Sequence, residues 1–576
     1  MKPRAIDALF VPYYYDRDRW HNDIGPGEAG SVGPRSGSTR GLASSRRARM
    51  AREGMSIDGK LYDFSRFLSW VRYDTTIEYP RYDSYSLTLL GGSYYLSFLR
   101  RQGIDVQVAN AVNRQVLEDL GGQYEPRFVL ISTTLLLENL LVKEAVANVR
   151  RTWPDAVIVL GGLFLVELKK TLTRERFHNV LREYEADAYV VSAHGELPLL
   201  EILKRRSRQA LLADPNIPCT YIVSGNTVHA PSTDADPSTD MADTYIRWNS
   251  VVPRDHLYHT VHTRTARSCA FKCAFCNFPV NQGALTLMPL DSFDKELREL
   301  KECGRVKSLI FTDDTFNVPL RRFKDLCRLL AKYDFEWYSF FRAQYADEET
   351  GTLMKDAHCK GVFLGVESAD DQMLKNMDKV AKIETIKRGV EQLNRHDIRT
   401  HANFIIGFPG DTEKTSRKLV NFLDEMEIDF FTLAPWYYVP STPIYQRRAE
   451  FGLEGAWEKW KHNTMTSGEA FALAEELKKE PKFSVHTPEL SANEFWSEIM
   501  LYCNGFTKDE AQTAFRVFNG YMGQDTPAEE IHKSPEYGKL RSILLRHEMP
   551  KPDVTAHRSW SGDVRIAVED GIHRTP

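Results

Sequence analysis

At 576 residues the chain is too long for a single hydrophobic core and should divide into several domains. Its formal net charge of −4 gives no broad basic surface, which argues against a nucleic-acid partner. The opening residues, MKPRAIDALFVPYYYDRDRW, contain an apolar run far shorter than a signal sequence or a membrane span, so we expect a cytoplasmic protein without a membrane partner.

Residues 1–230 alternate apolar strand-like runs with segments of helical periodicity. The runs IDALFV, DVQVAN, FVLIST, AVIVLGG and AYVVSA are separated by helical segments such as residues 85–101 and 138–151. This alternation predicts an α/β domain of the Rossmann type, with a doubly wound parallel sheet.

Three loops of this domain follow predicted strands and should face one crevice at the carboxyl edge of the sheet. Glycines in these loops let a flat or phosphorylated ligand approach the backbone, although Gly161 and Gly162 are equally compatible with a simple strand end. The candidate crevice residues are Ser132, Thr133, Gly161, Gly162, His194, Gly195 and Glu196.

Two stretches interrupt the alternation. Residues 21–55 are rich in Gly, Ser and Arg and predict a flexible surface insertion, with a lid over the crevice as the alternative. Residues 231–259 begin with PSTDADPSTDMAD, a composition typical of a linker. A second domain should therefore start near residue 260.

Residues 260–445 contain six predicted βα units. After a first strand ahead of Cys269, strand-like runs occur at SLIFTDD, WYSFFRA, GVFLGVES, HANFIIGFPG and DFFTLAPWYYVP. Six units predict a partial (β/α)6 barrel with its reactive groups at the carboxyl ends of the strands. Residues 446–576 lose the alternation and predict a mainly helical region for substrate selection, in which His462 is either a packing residue or a substrate contact.

The stretch RSCAFKCAFCNFP brings Cys269, Cys273 and Cys276 close enough to share a ligand. A disulfide would leave one cysteine over, and a zinc site would need a fourth ligand, for which His259 and His262 are the candidates. An iron–sulfur cluster held by three thiolates would keep one iron open for a substrate or cofactor. The position of the trio just beyond the first barrel strand favours the cluster.

The Cys269-x3-Cys273-x2-Cys276 pattern, with Phe275 before the last cysteine, resembles the radical S-adenosylmethionine (radical SAM) superfamily. The segments FTDDTF, GVES and IIGFPGDT resemble those that cradle SAM after the second, fourth and fifth barrel strands of that family. The resemblance implies a [4Fe–4S] cluster whose fourth iron is chelated by SAM. It also implies reductive cleavage of SAM to methionine and a 5′-deoxyadenosyl radical.

The same resemblance implies roles for individual residues beside the cluster. Thr312, Asp313 and Asp314 are expected to bind the SAM amino group. Glu367 is expected at the ribose hydroxyls and Arg342 at the SAM carboxylate. The alternatives are a helix cap for the aspartates, a lysine partner for the glutamate and a strand bridge for the arginine.

The first domain resembles the cobalamin-binding domain found upstream of the barrel in class B radical SAM methyltransferases. The resemblance rests on YSLTLLGGSYYLSFLRRQGIDVQVAN, RTWPDAVIVLGG and ADAYVVSAHGELPLLEIL. It implies that cobalamin occupies the crevice. The D-x-H-x-x-G motif is absent, so the implied corrin lacks the lower histidine ligand which that motif supplies.

CNFP, PWYYVPSTPIYQRRAE and WKHNTM resemble the branch that contains the PhpK-like P-methyltransferases. The implied activity is transfer of a methyl group from methylcobalamin to a substrate carbon or phosphinate phosphorus radical in natural-product biosynthesis, with two SAM consumed per methylation. Trp436, Tyr437 and Tyr438 are the candidate substrate contacts, with aromatic packing as their alternative.

The expected partners are a small-molecule substrate, free or presented by a carrier or peptide, and a reductant such as flavodoxin or ferredoxin. Two other functions stay open at this point. A cobalamin-binding radical SAM enzyme can catalyse cyclisation, ring contraction or rearrangement without methyl transfer. A zinc-stabilised binding protein would use the cysteines structurally.

Overall fold

The computed structural model describes residues 2–12, 53–73, 90–109, 114–134, 139–235, 237, 239–251, 259–488 and 497–547. The predicted insertion, residues 21–55, lies outside the described residues except for its last three, and the lid alternative lies outside them too. Among the described helices, none has the length and apolar character needed to cross a membrane.

The first 230 residues form nine described strands and eight described helices. The elements are β1 (Arg4–Val11), β2 (Met55–Ile57), β3 (Lys60–Tyr62), α1 (Phe64–Tyr73), α2 (Leu90–Arg101), β4 (Val106–Val108), α3 (Arg114–Gly121), β5 (Tyr124–Ser132), α4 (Asn139–Thr152), β6 (Val157–Gly161), α5 (Leu163–Thr171), α6 (Arg174–Tyr184), β7 (Ala188–Val190), α7 (Glu196–Lys204), α8 (Arg208–Ala213), β8 (Thr220–Ser224) and β9 (Thr227–His229).

Seven of these strands make a sheet in the order β4-β1-β5-β6-β7-β8-β9. The first five are parallel, as the alternation predicted, whereas β8 and β9 add an antiparallel hairpin at one edge. Along β6, Val157 and Val159 face one core while Ile158 and Leu160 face another. Both faces are therefore buried, which explains why the strands read as continuous apolar runs.

A short helix precedes the first strand of the second α/β region. Its elements are α9 (Trp248–Val251), β10 (Thr260–Thr263), β11 (Ala266–Arg267), α10 (Phe278–Gln282), β12 (Thr286–Leu287), α11 (Leu290–Cys303), β13 (Ser308–Phe311), α12 (Leu320–Leu330), β14 (Glu336–Phe341), α13 (Glu348–Asp356), β15 (Cys359–Glu367), α14 (Asp371–Asn376), α15 (Ile383–Arg395), β16 (Arg399–Ile406), α16 (Glu413–Ser416), α17 (Lys418–Met426) and β17 (Phe430–Pro435).

Six parallel strands of this region lie in the order β10-β13-β14-β15-β16-β17, which confirms the predicted partial barrel. A seventh short strand from the C-terminal region, β21 (Val485–His486), pairs in parallel with β17. The sheet does not close on itself, since β10 and β21 stand at opposite ends of the strand order. The carboxyl ends of all six barrel strands therefore share one edge.

The C-terminal region is mainly helical, as predicted, but it opens with strands. Its remaining elements are β18 (Glu454–Ala456), β19 (Lys459–His462), β20 (Met465–Thr466), α18 (Ser467–Leu477), α19 (Ser497–Cys503), α20 (Lys508–Tyr521), β22 (Asp525–Thr526), α21 (Ala528–Lys533) and α22 (Pro535–Arg546). Strand β19 lies where the sequence suggested helix. Its side chains alternate, with Lys459 and Lys461 exposed and Trp460 and His462 buried, which is a strand pattern.

Elements β2, β3 and α1 belong to the C-terminal core and do not join the first sheet. Strand β2 pairs with β22, and Phe64 of α1 stacks on Phe515 of α20 with ring centroids 3.9 Å apart. Phe67 contacts Phe518 in the same core. Residues 55–73 were predicted within the first domain, residues 1–230, but they pack in the C-terminal core. The reason is that burying their aromatic side chains against the apolar surface of that core is favourable.

Candidate active site between the two sheets

The three cysteines lie on the loop between β11 and α10, directly beyond the first barrel strand. Ala274, in the middle of the loop, donates its N–H to the Met377 carbonyl at 2.8 Å and accepts from the Ile444 N–H at 3.0 Å. The Cys276 N–H also donates to the Cys273 carbonyl at 3.0 Å. The loop is thus held by backbone hydrogen bonds on both sides, so the thiols keep fixed positions.

The three thiols lie within one electrostatic neighbourhood. Burial is the main cause that raises the pKa of the Cys276 thiol to about 12, and repulsion of the thiolate by Cys273, Asp314 and Cys269 contributes to this rise. Cys269 Sγ lies 3.2 Å from the Thr315 hydroxyl. A bound metal cation replaces the thiol proton and reverses this preference, as is usual for thiolate ligands.

Arg342 reaches this group from the end of β14. Its Nη2 donates to Cys273 Sγ at 3.1 Å, and its Nη1 donates to the Lys379 carbonyl at 2.7 Å. The guanidinium also lies over the Phe271 ring, 3.5 Å from its centroid. The structure therefore places this predicted SAM-carboxylate ligand beside a cysteine, with its positive charge held rigidly.

Across the residues described here, no three His, Cys, Asp or Glu side chains converge closely enough to hold one metal ion. A zinc ion needs four ligands at about 2.0–2.3 Å from one centre. A [4Fe–4S] cluster instead distributes its thiolates over separate irons.

The predicted SAM segment at the end of β13 divides into two environments. Both carboxylate oxygens of Asp313 accept from the Thr265 N–H, at 3.0 and 2.9 Å, and one accepts from its hydroxyl at 2.8 Å. Burial raises the pKa of Asp313 to about 6. Burial, with Asp313 as the second cause, raises the pKa of Asp314 to about 7. Of the two aspartates, Asp314 is the one whose charge contributes to the raised pKa of the Cys276 thiol. Thr312 donates to the Thr263 carbonyl at 3.3 Å.

Glu367 ends β15 at a break in the strand register and has a φ of +66°. Its Oε1 accepts from Lys379 Nζ at 2.7 Å; the lysine side chain is buried and that of Glu367 is partly buried. A Cβ on Gly365 would lie 2.6 Å from this carboxylate oxygen, so the carboxylate folds back over the glycine. In this structure Glu367 therefore has the lysine partner that was the alternative to ribose binding. Phe275 is close by, with its ring centroid 5.8 Å from Lys379 Nζ.

A cavity of about 220 Å³ lies between the carboxyl edge of the first sheet and the start of the barrel. All three predicted crevice loops reach it, because the carboxyl ends of parallel strands meet at one edge. The predicted residues that line it are Ser132, Gly161, Gly162, His194, Gly195 and Glu196. Thr133 is buried behind the wall, where its hydroxyl donates to the Gly161 carbonyl at 2.9 Å.

Gly162 has a φ of +123°, a backbone conformation that a side chain rarely adopts. A Cβ at this position would lie 2.7 Å from the Thr134 backbone nitrogen and 2.9 Å from that of Thr133. The two loops therefore meet at a distance that only glycine permits. Simple strand termination does not explain this contact.

A buried polar group joins the cavity wall to the cysteine loop. Arg267, two residues before Cys269, forms an ion pair with Glu196 across the two α/β regions, and both side chains are almost fully buried. The Tyr94 hydroxyl donates to the same Glu196 oxygen at 2.8 Å. Burial opposes ionisation of Glu196, but Arg267 and then Arg264 hold its pKa below the usual range. The crevice and the cysteine loop are thus parts of one site.

A second contact fastens the regions together. Glu167 of α5 accepts from Asn277 at 3.3 Å, Asn281 at 3.2 Å and the Ser441 hydroxyl at 2.8 Å. Lys170, on the same helix, donates to the Val280 carbonyl at 2.6 Å. Asn277 directly follows Cys276, so the helix after Gly162 is linked to the cysteine loop.

The predicted substrate aromatics do not line the cavity. Trp436 and Tyr438 are buried and stack on each other with ring centroids 5.0 Å apart, whereas Tyr437 is exposed and lies 5.7 Å from Trp457. His462 does not line this cavity either. Its Nε2 lies 3.0 Å from the Gly407 carbonyl, as in the packing alternative.

Several residues of the site were not singled out from the sequence. Arg264 directly follows the first barrel strand. Because barrel enzymes place reactive groups at the carboxyl ends of their strands, this position indicates a site residue from sequence alone. Tyr94 and Glu167 lie on helices and meet their partners only through the tertiary fold. The missed set is Tyr94, Glu167, Arg264, Arg267 and Lys379.

Residues 263–423 match the sequence profile of the Radical SAM superfamily. The chain is 24% identical over 379 residues to "Uncharacterized methyltransferase PH0819" of Pyrococcus horikoshii, which covers 62% of this chain and 77% of the relative. It is 25% identical over 276 residues to the "Ribosomal protein uS12 methylthiotransferase RimO" of Stenotrophomonas maltophilia. That match covers 43% of this chain and 59% of RimO, so the chain spans about three fifths of this relative.

Among solved structures, the chain is similar to TsrM from Kitasatospora setae, a radical S-adenosylmethionine methyltransferase solved with cobalamin and a [4Fe–4S] cluster bound. The TM-score is 0.51 at 17% identity, over 63% of this chain and 72% of TsrM. The likeness concerns the fold. A radical SAM domain uses a [4Fe–4S] cluster and SAM, and it requires a reductant. The chain therefore contains a radical SAM domain at residues 263–423, in a fold similar to that of TsrM.

Proposed function

We propose that the chain is a cobalamin-dependent radical SAM methyltransferase. One observation carries the proposal: the cysteine loop and the glycine-lined crevice belong to a single site, joined by the buried ion pair of Arg267 with Glu196. A methyltransferase of this kind needs the radical source and the methyl carrier to face one substrate. The names of PH0819 and RimO, a methyltransferase and a methylthiotransferase, agree with transfer of a one-carbon group.

The residues of the cysteine loop fit a [4Fe–4S] cluster. Cys269, Cys273 and Cys276 would hold three irons, and the Arg342 guanidinium would offset the negative charge of the thiolates. Thr315 supplies a hydroxyl beside Cys269. When bound, the cluster supplies the electron for SAM cleavage, and cobalamin supplies the methyl group.

For SAM, the contacts suggest one refinement of the sequence-based roles. Asp313 is fully engaged with Thr265, so it positions the loop after β10. Asp314 has no such partner among the described residues and lies beside the cysteines, which makes it the better ligand for the SAM amino group. To bind the ribose hydroxyls, Glu367 would either release its hydrogen bond from Lys379 or accept from the lysine and the hydroxyls together.

The crevice is proposed to hold one face of a large, flat ligand with amide groups around its edge. Gly161, Gly162 and Gly195 give a wall without protruding side chains, and Ser132 and Ser192 offer hydroxyls at its rim. The corrin of cobalamin has this shape and this polarity. Cobalamin is thus the cofactor proposed for the first domain, and His194 is a cavity residue in the same wall.

The finer parts of the proposal rest on the resemblance to the PhpK-like branch. The acceptor would be a carbon or a phosphinate phosphorus of a natural-product intermediate, free or carrier-bound. The reductant would be a flavodoxin or a ferredoxin. Of the three predicted aromatics, Tyr437 is the exposed one and is the proposed substrate contact.

The first test is metal and cofactor content after anaerobic purification from cells supplied with cobalamin. We expect about four irons and about one cobalt per chain. The triple variant Cys269→Ala/Cys273→Ala/Cys276→Ala should lose the iron, whereas Cys503→Ala, a control outside the loop, should keep it. Iron without cobalt would overturn the cobalamin assignment, and zinc in place of iron would overturn the radical assignment.

The second test is product mass with a candidate phosphinate substrate, SAM and a chemical reductant. A gain of one methylene equivalent, together with 5′-deoxyadenosine and S-adenosylhomocysteine, supports methyl transfer. A product of unchanged mass, or one that has lost hydrogen, would instead support cyclisation or rearrangement.

A further inference from the structure

Arg264 directly follows β10, the first barrel strand, and lines the cavity between the two α/β regions. Its guanidinium carbon lies 4.4 Å from the centroid of the Tyr94 ring, so one face of the guanidinium is covered by the aromatic ring. The edge that carries the N–H groups is not covered in this way. Arg264 therefore presents hydrogen-bond donors at the edge of the sheet where a barrel enzyme binds its reactants.

Two nitrogens of Arg264, Nε and Nη2, are buried and have no hydrogen-bond partner within the described parts of the chain. Buried donors in native proteins are nearly always paired, because an unpaired one loses its hydration without compensation. Arginine only donates hydrogen bonds. Their partner must therefore be an acceptor, and an acceptor bound in the cavity would satisfy both nitrogens.

The charges around the cavity indicate the nature of that acceptor. The Asp, Glu, Lys and Arg side chains on its described wall are Arg264, Arg267 and Glu196. Glu196 is already engaged through Oε1 by Arg267 and Tyr94, and its Oε2 is the one buried acceptor left without a partner. Three buried donors of the same wall also have no partner among the described residues: the two nitrogens of Arg264 and Nε of Arg267. The described wall thus has more unpaired buried donors than unpaired buried acceptors, and its charged side chains carry an excess positive charge.

We propose that Arg264 binds an oxyanion group of a ligand in this cavity. A carboxylate, phosphate, phosphonate or phosphinate offers two acceptor oxygens in the plane that a guanidinium edge recognises, and its charge balances the second arginine. The oxyanion belongs either to the substrate or to a cofactor, since cobalamin carries a nucleotide phosphate and SAM a carboxylate. The inference concerns the ligand of the cavity and holds whether or not the reaction is a methyl transfer.

The experiment compares wild type with Arg264→Gln, Arg264→Lys and the control Arg321→Gln, which alters an exposed arginine on α12. Binding of methylphosphonate to the cluster- and cobalamin-loaded protein is measured by calorimetry. We expect Arg264→Gln to weaken binding about tenfold or more, Arg264→Lys to weaken it less, and Arg321→Gln to match wild type. Equal iron contents and equal melting temperatures show that the variants fold and keep the cluster.

Three further titrations identify the source of the oxyanion. Selective weakening of cobalamin binding, with cobinamide binding unchanged, assigns the nucleotide phosphate, because cobinamide lacks it. Selective weakening of SAM binding assigns the SAM carboxylate. Weakening of methylphosphonate binding alone assigns the substrate. Equal weakening of cobalamin and cobinamide would overturn the proposal in favour of a neutral corrin amide, and unchanged binding of all four probes by Arg264→Gln would overturn it outright.

Discussion

Arg342 donates a hydrogen bond to the sulfur of Cys273 at 3.1 Å, so a guanidinium lies directly against one of the three cluster thiols. The same side chain is fixed by the Lys379 carbonyl and by the face of Phe271. The guanidinium is thus held on three sides. Arg342 therefore keeps a fixed positive charge beside a proposed metal ligand, in addition to its proposed contact with SAM.

Replacing Arg342 by Gln should weaken retention of the cluster. A hydrogen bond to a charged group contributes ~1.5–3 kcal/mol, which corresponds to about a ten- to hundredfold change in an equilibrium constant. Arg342→Lys keeps the charge but loses the two-pronged geometry and should fall between wild type and Gln. The measurement is iron released to a chelator over time. Release at the wild-type rate from Arg342→Gln, as expected for exposed Arg388→Gln, would exclude this role.

Replacing Glu167 by Ala should loosen the link between α5 and the cysteine loop. Three donors, from Asn277, Asn281 and Ser441, lose their shared acceptor in this variant. We expect faster hydrogen–deuterium exchange in α5 and α10. Glu167→Gln keeps an acceptor oxygen and should exchange nearly as wild type does. The exposed Glu175→Ala serves as the control, and uniform exchange in all four proteins would show that the link is not needed.

Replacing Gly162 by Ala should both destabilise the protein and distort the crevice. The added Cβ would lie 2.7 Å from the Thr134 nitrogen at a φ of +123°, so the loops must separate. We expect a loss of ~1–3 kcal/mol in the free energy of unfolding and weaker cobalamin binding. Gly468→Ala, where nothing lies within 4 Å of the new Cβ, should be neutral or stabilising. Calorimetric melting and a cobalamin titration check both parts.

Glu296 should make folding stability depend on pH. Its carboxylate accepts from the Ile246 N–H at 2.9 Å, Trp248 Nε1 at 3.2 Å and the Thr263 hydroxyl at 2.7 Å. Burial nevertheless raises the pKa of Glu296 from 4.5 to about 7. Because the folded-state pKa is the higher one, its stabilising contribution is complete below pH 4.5 and is lost as pH rises through about 7.

The size of this loss is ~3 kcal/mol, from about 1.4 kcal/mol per pKa unit. The variant Glu296→Gln cannot ionise, so its difference in unfolding free energy from wild type should shift in its favour between pH 4.5 and about 7 and level off above. Urea unfolding at several pH values measures this difference, in which other titrating groups cancel. A difference independent of pH would contradict the assignment.

The parts of the site that follow from local patterns were predictable. The cysteine spacing is written in eight consecutive residues, and parallel strands had to bring Ser132, Gly161 and His194 to one edge. The partial barrel followed from the repeated βα pattern. In each of these cases the information lies within one strand and the loop after it.

The parts that depend on distant contacts were not predictable in this way. Arg267 could be read as a neighbour of the cysteines, but its partner Glu196 comes from helix α7 of the other α/β region. Asp313 and Asp314 are adjacent and alike in sequence, and only the position of Thr265 separates their roles. Strand β19 is a different case. Its polar and apolar side chains alternate at Lys459, Trp460 and Lys461, which is a local strand pattern, but the helical pattern that follows led to a prediction of helix.

The pairing of β2 with β22 also sets the order in which the molecule can assemble. Gly59 donates its backbone N–H to Asp525 at 3.0 Å, and these residues are 466 positions apart in the chain. At ribosomal speeds of about 5–20 residues per second, α1 waits roughly 20 to 90 s for its partners to be synthesised. During that interval Phe64, Phe67 and Trp70 have no native surface to cover them. The nascent chain therefore leaves these apolar side chains uncovered until its last elements are made, and slow translation lengthens that exposure.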